Sequence, residues 1–337
     1  MAFFLCGYDI PLSHESSAER SSCSRLFLFT NGLLNHELHF QQQKKRSGHK
    51  IQGTCSFILR KVSTFYPELL VATISVIAIR LCVQPIDLLQ ITGAIKTLAN
   101  SILPLKMTGI SISYWDFNAA TWFISSMLIG LIIVYPLLVR FGTHPLLFIT
   151  GVIICGFLCQ YHGKLNDICV WYGITFEGNL RAIGELLIGA TSYHAVQSFS
   201  QINLKPIATF LVTSIKYCCI ILIVVISVLP YTELHGAALC IGLLAISISF
   251  SGQVSDRRFY SNKLCIFLGA LSLPFYLSHM GITTCSHYLV PSFLLSIGWA
   301  KVLICFVYSI ALALIVMGTG KMIRKHSNKF IELFITR

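Results

Sequence analysis

Long apolar stretches alternate with short polar ones along almost the whole chain. A bilayer-crossing helix needs roughly 20 predominantly apolar residues. On that measure the pattern predicts about eight spans, near 68–83, 119–139, 145–161, 180–199, 206–229, 234–250, 264–288 and 298–320. Leu264–Ala300 runs 37 residues without Asp, Glu, Lys or Arg, so it holds a span plus a turn, placed near Pro291. Leu26–Leu34 is apolar but too short to cross alone. Residues 86–104, with Lys96 in their middle, predict an interfacial or re-entrant helix. The expected fold is all-α, a polytopic transmembrane helix bundle. A polar N-terminal segment (1–24) is expected to precede one transmembrane domain (25–325) and a cytoplasmic tail (326–337).

Composition sharpens this picture. Of 337 residues 55% are hydrophobic and only 11% charged, whereas soluble domains carry about 25% charged residues. That gap excludes a disordered chain, a coiled coil and an ordinary soluble enzyme. The thirteen cysteines are an odd number, and most sit inside apolar runs, where a thiol packs as a small hydrophobe. Cys155 and Cys159 lie one helical turn apart, but no His or acid beside them completes a ligand set, so no metal is expected.

The net charge of +12 could indicate nucleic acid, but its distribution indicates a membrane orientation. With residues 38–67 placed in the cytoplasm, sixteen Lys and Arg share that side: Lys44, Lys45, Arg46, Lys50, Arg60, Lys61, Arg140, Lys205, Arg257, Arg258, Lys263, Lys321, Arg324, Lys325, Lys329 and Arg337. Only Lys96, Lys106 and Lys164, three in all, fall opposite. Positive charge collects on the cytoplasmic side of membrane proteins. The chain is therefore expected in the cell membrane, plasma or inner, with its C-terminus cytoplasmic and no nucleic-acid partner.

Polar residues inside spans mark internal pairs or function. Arg181 and Glu185 are four apart and share a helix face, either as an internal ion pair or as part of a substrate path. His194 lies further along the same segment, and Lys216 sits within 206–229. In Leu271–His279, Pro274 is expected to kink the span, with Ser272, Tyr276, Ser278 and His279 around the kink. Tyr276 and His279, three apart, share a face. Arg60 and Lys61 stand just before Phe65-Tyr66-Pro67 at the cytoplasmic start of the first span. They serve as a positive-inside flank, and they also suit the phosphates of a CoA thioester.

Several of these segments together resemble the acyltransferase 3 family of membrane O-acyltransferases, many of which modify bacterial surface polysaccharides. Arg60-Lys61-Val62-Ser63-Thr64-Phe65-Tyr66-Pro67 resembles its basic run before a hydrophobic-Tyr-Pro. The stretch from Asn118 through Trp122 to Ile129 resembles its Trp-led span start, and Leu180–Gly189 its Arg-led span. Leu271–His279 resembles its Ser/Tyr-rich run ending in His, and Leu26–Gly32 is a fainter match to a further segment. The order and spacing fit along roughly 26–320. Two features depart from the pattern. Members usually begin with a span bearing a basic residue and, about three turns on, a catalytic His. Here the first 25 residues are polar and Ser-rich, with His14 as their only His, so the usual first span is expected to be missing. Thr64 stands where a second Arg is common.

The resemblance implies transfer of an acyl group, typically acetyl, from cytoplasmic acyl-CoA to a sugar hydroxyl of an extracytoplasmic polysaccharide or glycolipid. Acetyl-CoA or another acyl-CoA is then the co-substrate and the bilayer a standing partner. The expected roles are Arg60 and Lys61 for the CoA phosphates, Trp122, Arg181, Glu185 and Tyr276 along the substrate path, and His279 as the participating base. Two other classes fit the same polar spans. One is a transporter or flippase-like protein, and the other is an inactive structural partner in polysaccharide export.

Overall fold

The structure is a computed structural model that describes residues 50–83, 88–103, 105–110, 118, 120–162, 170–228, 235–251, 262–291 and 298–335. The polar segment 1–24, His14 and Leu26–Leu34 lie outside the described residues. The elements are α1 (Lys50–Val83), α2 (Leu88–Ile102), α3 (Thr121–Phe141), α4 (Pro145–His162), α5 (Glu177–Ser200), α6 (Pro206–Val228), α7 (His235–Phe250), α8 (Lys263–Thr284), α9 (Ser286–Leu289) and α10 (Gly298–Ile335). Among the described residues there is no strand, only an isolated bridge between Trp171 and Phe176. The fold is the expected helical membrane bundle.

Each of the eight expected spans coincides with a helix. Five helices are long and apolar enough to cross a bilayer, namely Phe57–Val83, Thr121–Phe141, Pro206–Ile226, Lys263–Thr283 and Trp299–His326. Pro145–Gln160 and Cys240–Phe250 are apolar but shorter. The eighth, α5, carries Glu177, Arg181 and Glu185 and is too polar to meet the same standard. A helix also stands at 88–102, where the sequence predicts an interfacial or re-entrant one.

α1 begins well before the expected boundary at residue 68. Arg60, Lys61 and Glu68 interrupt the apolar pattern there, yet straight-chain residues are good helix formers and their stems lie along apolar surface. α10 likewise continues past residue 320 through Lys321, Arg324 and Lys325. Pro274 sits inside α8, which remains continuous. Its missing N–H leaves the Ala270 carbonyl without the usual i+4 donor.

The described residues form two compact units, one holding those within 126–251 and the other those within 55–125 and 262–335. In the first, α5 packs against α4 and α7, and α6 packs against α7. The α4–α5 contact is made backbone to backbone. A Cβ at Gly151 would lie 2.8 Å from the Gly184 carbonyl oxygen, and one at Gly184 would lie 3.2 Å from that of Gly151. Small residues allow such approach where lipid gives no hydrophobic drive between helices. Beside them Cys155 and Ile188 form a buried cluster under Leu243 and Ile246 of α7. α3 meets α5 at Gly130, whose Cβ position lies 2.9 Å from Leu186. The outer face of α6, with Ile207, Phe210 and Ile221, is exposed, as suits contact with lipid.

In the second unit α8 packs along α10, with the short α9 against both. α1 meets α8 at Gly281, where a Cβ would clash with the Val76 side chain.

These contacts set an expected outcome. Gly184→Leu forces α4 and α5 apart and should lower stability by about 1–3 kcal/mol, the usual range for overpacking. Gly156→Leu adds its side chain to a part of α4 where a Cβ would meet nothing within 4 Å. It should change stability by less than about 0.5 kcal/mol. Thermal unfolding of the two variants in detergent compares them directly.

Candidate functional site

In the first unit the polar centre is α5. It starts after a tight reversal in which Tyr172 N–H donates to Thr175 at 2.8 Å, with Gly173 at φ 73° where a Cβ would be strained. The Trp171 and Phe176 rings pack edge to face at 4.7 Å across this turn. Glu177 follows in the first helical turn, where the helix dipole favours an anion. Asn179 Nδ2 donates to Thr175 Oγ1 at 2.9 Å and ties turn and helix together.

One turn further, Arg181 Nε donates to Glu185 Oε1 at 2.9 Å. The side chains are 1% and 0% exposed, so the pair is an internal one. A buried charge is tolerated when it is paired and hydrogen-bonded. Of the two sequence readings, an internal ion pair is what the geometry displays. Lys216, on α6, is fully buried with its ammonium 4.6 Å from the Tyr217 ring centroid, a cation–π contact. His194 lies on α5 with its side chain outside the described residues.

In the second unit the polar centre is α8. His279 Nδ1 lies 2.7 Å from the Tyr276 carbonyl oxygen. A carbonyl only accepts, so Nδ1 bears a hydrogen and donates it. The ring also stacks on Phe275 at 5.9 Å and lies 5.6 Å from the Tyr276 ring. Tyr276 meets Phe123 edge to face at 5.6 Å, and Phe123 meets Trp122 at 5.9 Å. The structure therefore gathers Trp122, Tyr276 and His279 in one aromatic chain. Ser272 and Ser278 bond the carbonyls of their own helix, at Gly269 and Pro274, both at 2.7 Å.

Two connections in this unit escape sequence reasoning. The first ties α8 to the start of α3. Asn118 Nδ2 donates to the Leu277 carbonyl at 3.2 Å, while the Asn118 carbonyl accepts from the Lys106 ammonium and from Thr121 Oγ1. Met107 N–H donates to Ser125 Oγ at 3.1 Å. Lys106, which the sequence places among loop cations, is 1% exposed. The second is an ion pair between Glu68 of α1 and Arg324 of α10. Gly320 makes room for it, since a Cβ there would lie 2.9 Å from Glu68 Cγ. Neither partner carries a local signal, because 256 residues separate them.

Lys61 is half-buried on α1, and Arg60 precedes it with its side chain outside the described residues. Cys285, the first residue beyond α8, is buried, and burial pushes its thiol up while the Arg80 charge opposes this. A nucleophilic cysteine needs the reverse shift.

The family profile described as "Acyltransferase domain", acyltransferase 3, matches residues 21–318. That is most of the chain, so the chain belongs to this family and is a multi-pass membrane acyltransferase. No curated protein and no solved structure matches it.

The buried pair of α5 makes a stability prediction. Arg181→Ala strands Glu185 in the interior and should destabilise by about 3–5 kcal/mol. Replacing both, as Arg181→Met with Glu185→Leu, should recover most of that loss, because no uncompensated charge remains. Unfolding midpoints of the single and double variants measure the difference.

Proposed function

We propose that this member of the acyltransferase 3 family moves an acyl group, acetyl in the simplest case, from cytoplasmic acyl-CoA to a sugar hydroxyl of an extracytoplasmic polysaccharide or glycolipid. The observation that carries the reading is the His279 geometry. Its Nδ1 hydrogen is held by the Tyr276 carbonyl, which directs Nε2 to act as a proton acceptor.

In the reaction, His279 Nε2 takes the proton of the acceptor hydroxyl as its oxygen attacks the thioester carbonyl carbon. A new C–O bond forms and the C–S bond breaks. The leaving CoA thiolate regains a proton from the imidazolium, so ester and free thiol result. Tyr276 and Trp122 supply aromatic faces beside the base, suited to the apolar face of a sugar ring. Arg60 and Lys61 bind the CoA phosphates electrostatically. Arg181 and Glu185 neutralise each other inside α5. The sixteen-to-three distribution of cations supports a cell-membrane protein with a cytoplasmic C-terminus.

Membranes containing the protein should transfer labelled acetyl from acetyl-CoA to sugar. His279→Gln should lower kcat by at least about a hundredfold, the usual lower bound for removing a general base. Lys61→Ala should instead raise the KM for acetyl-CoA with kcat little changed. Full activity in His279→Gln would remove His279 from the mechanism.

A further inference from the structure

Two large apolar side chains project from the turn that precedes α5. Ile174, at its tip, is 88% exposed and Trp171 is 48% exposed. Turn positions usually carry Gly, Pro, Asn, Asp or Ser. This turn is nevertheless firmly built. Tyr172 N–H donates to the Thr175 carbonyl and Ile174 N–H to the Tyr172 carbonyl, both at 2.8 Å. Glu177 N–H donates to the Val170 carbonyl at 2.9 Å, and Gly173 supplies the positive φ. Beneath the tip the buried Phe176 packs edge to face on the Trp171 ring at 4.7 Å. The exposure of Ile174 and Trp171 therefore belongs to a fixed conformation.

The depth of the turn indicates what covers it. The Tyr172 ring lies 6.2 Å from the ring of Phe157 on α4. Phe157 falls just short of Gln160, where the apolar stretch Pro145–Gln160 ends. At about 1.5 Å per residue, Phe157 stands about 4.5 Å inside that end. The turn is thus folded back beside the last apolar turn of α4 instead of standing clear in water. This is the level of the boundary between acyl chains and headgroups. Trp and Tyr collect there because each joins an apolar ring to one polar N–H or O–H. A bilayer is the occupant that this level supplies. A sugar would call for polar side chains at the tip, and the tip residue is isoleucine.

We propose that the Trp171–Phe176 turn is a membrane-interface anchor, with Ile174 at the edge of the acyl chains and the Trp171 ring at the headgroup boundary. The anchor meets a need of α5. That helix carries Glu177, Arg181 and Glu185, so its own hydropathy does not fix its depth. Trp171 and Ile174 fix it from one end, and so set the level at which the Arg181–Glu185 pair is buried. The assignment is independent of the acyl acceptor and of the role of His279.

The test uses the full chain in phosphatidylcholine vesicles and reads tryptophan fluorescence. The Trp171 component is the difference between the unaltered protein and Trp171→Phe. Phosphatidylcholine brominated near the headgroup end of its chains should quench that component more than lipid brominated near the chain ends, and aqueous iodide should quench it least. Ile174→Asp should lose most of the lipid quenching and gain quenching by iodide, because a carboxylate at the tip draws the turn into water. Should Trp171→Phe fail to fold, Ile174→Trp places a new indole at the exposed tip, and the same order of quenching is expected from it. Iodide quenching without lipid quenching overturns the anchor, and a methyl glycoside that then protects Trp171 from iodide would identify a sugar platform instead. Shielding from every quencher also overturns it, since a second copy of the chain would then cover the turn. Quenching strongest from the chain ends overturns the interfacial depth.

Discussion

A guanidinium cannot remain inside a helical membrane protein unless something neutralises it, and Glu185 does so for Arg181 from one turn away. The first unit depends on this pair. Because the charges cancel within α5, that helix can be buried on the faces that meet α3, α4 and α7. The absence of side chains at Gly151 and Gly184 then lets α4 and α5 meet closely. A span that faced lipid could not carry Glu177, Arg181 and Glu185, so α5 is polar because it is interior.

In the second unit the constraint is satisfaction of polar groups around α8. His279 and Asn118 bond successive carbonyls of one helical turn, and Lys106 holds Asn118 by its main chain. These are charge-assisted or amide hydrogen bonds in a low-dielectric interior, where their directions are strongly enforced. The outcome is an imidazole whose Nδ1 is fixed on its own helix beside an aromatic face. In the same unit Glu68 and Arg324 join the first and last of the described helices.

Much of the helical framework is legible in the sequence, because hydropathy and i, i+4 spacing are local properties. The eight apolar segments are helices, Arg181 meets Glu185, and Tyr276 and His279 share a face. The ends of α1 and α10 are not legible, since charged residues interrupt hydropathy without interrupting a helix. Nor is the burial of Lys106, whose charge reads as an exposed loop until its main-chain partner is known. Glu68–Arg324 and Asn118–Leu277 join residues far apart in the chain, and no periodicity encodes such contacts. Arg60 and His194 stand out in the sequence, and their side chains lie outside the described residues.

On the proposed mechanism, acyl groups leave a cytoplasmic thioester and arrive as esters on a sugar held at the other side. Purified protein reconstituted into sealed vesicles, with labelled acetyl-CoA on the face bearing the C-terminus and sugar on the opposite face, tests it directly. Labelled sugar ester should accumulate on the sugar side, in equal amount to the CoA thiol released on the donor side. Passage of unmodified sugar without thiol release would contradict the mechanism and identify a transporter instead.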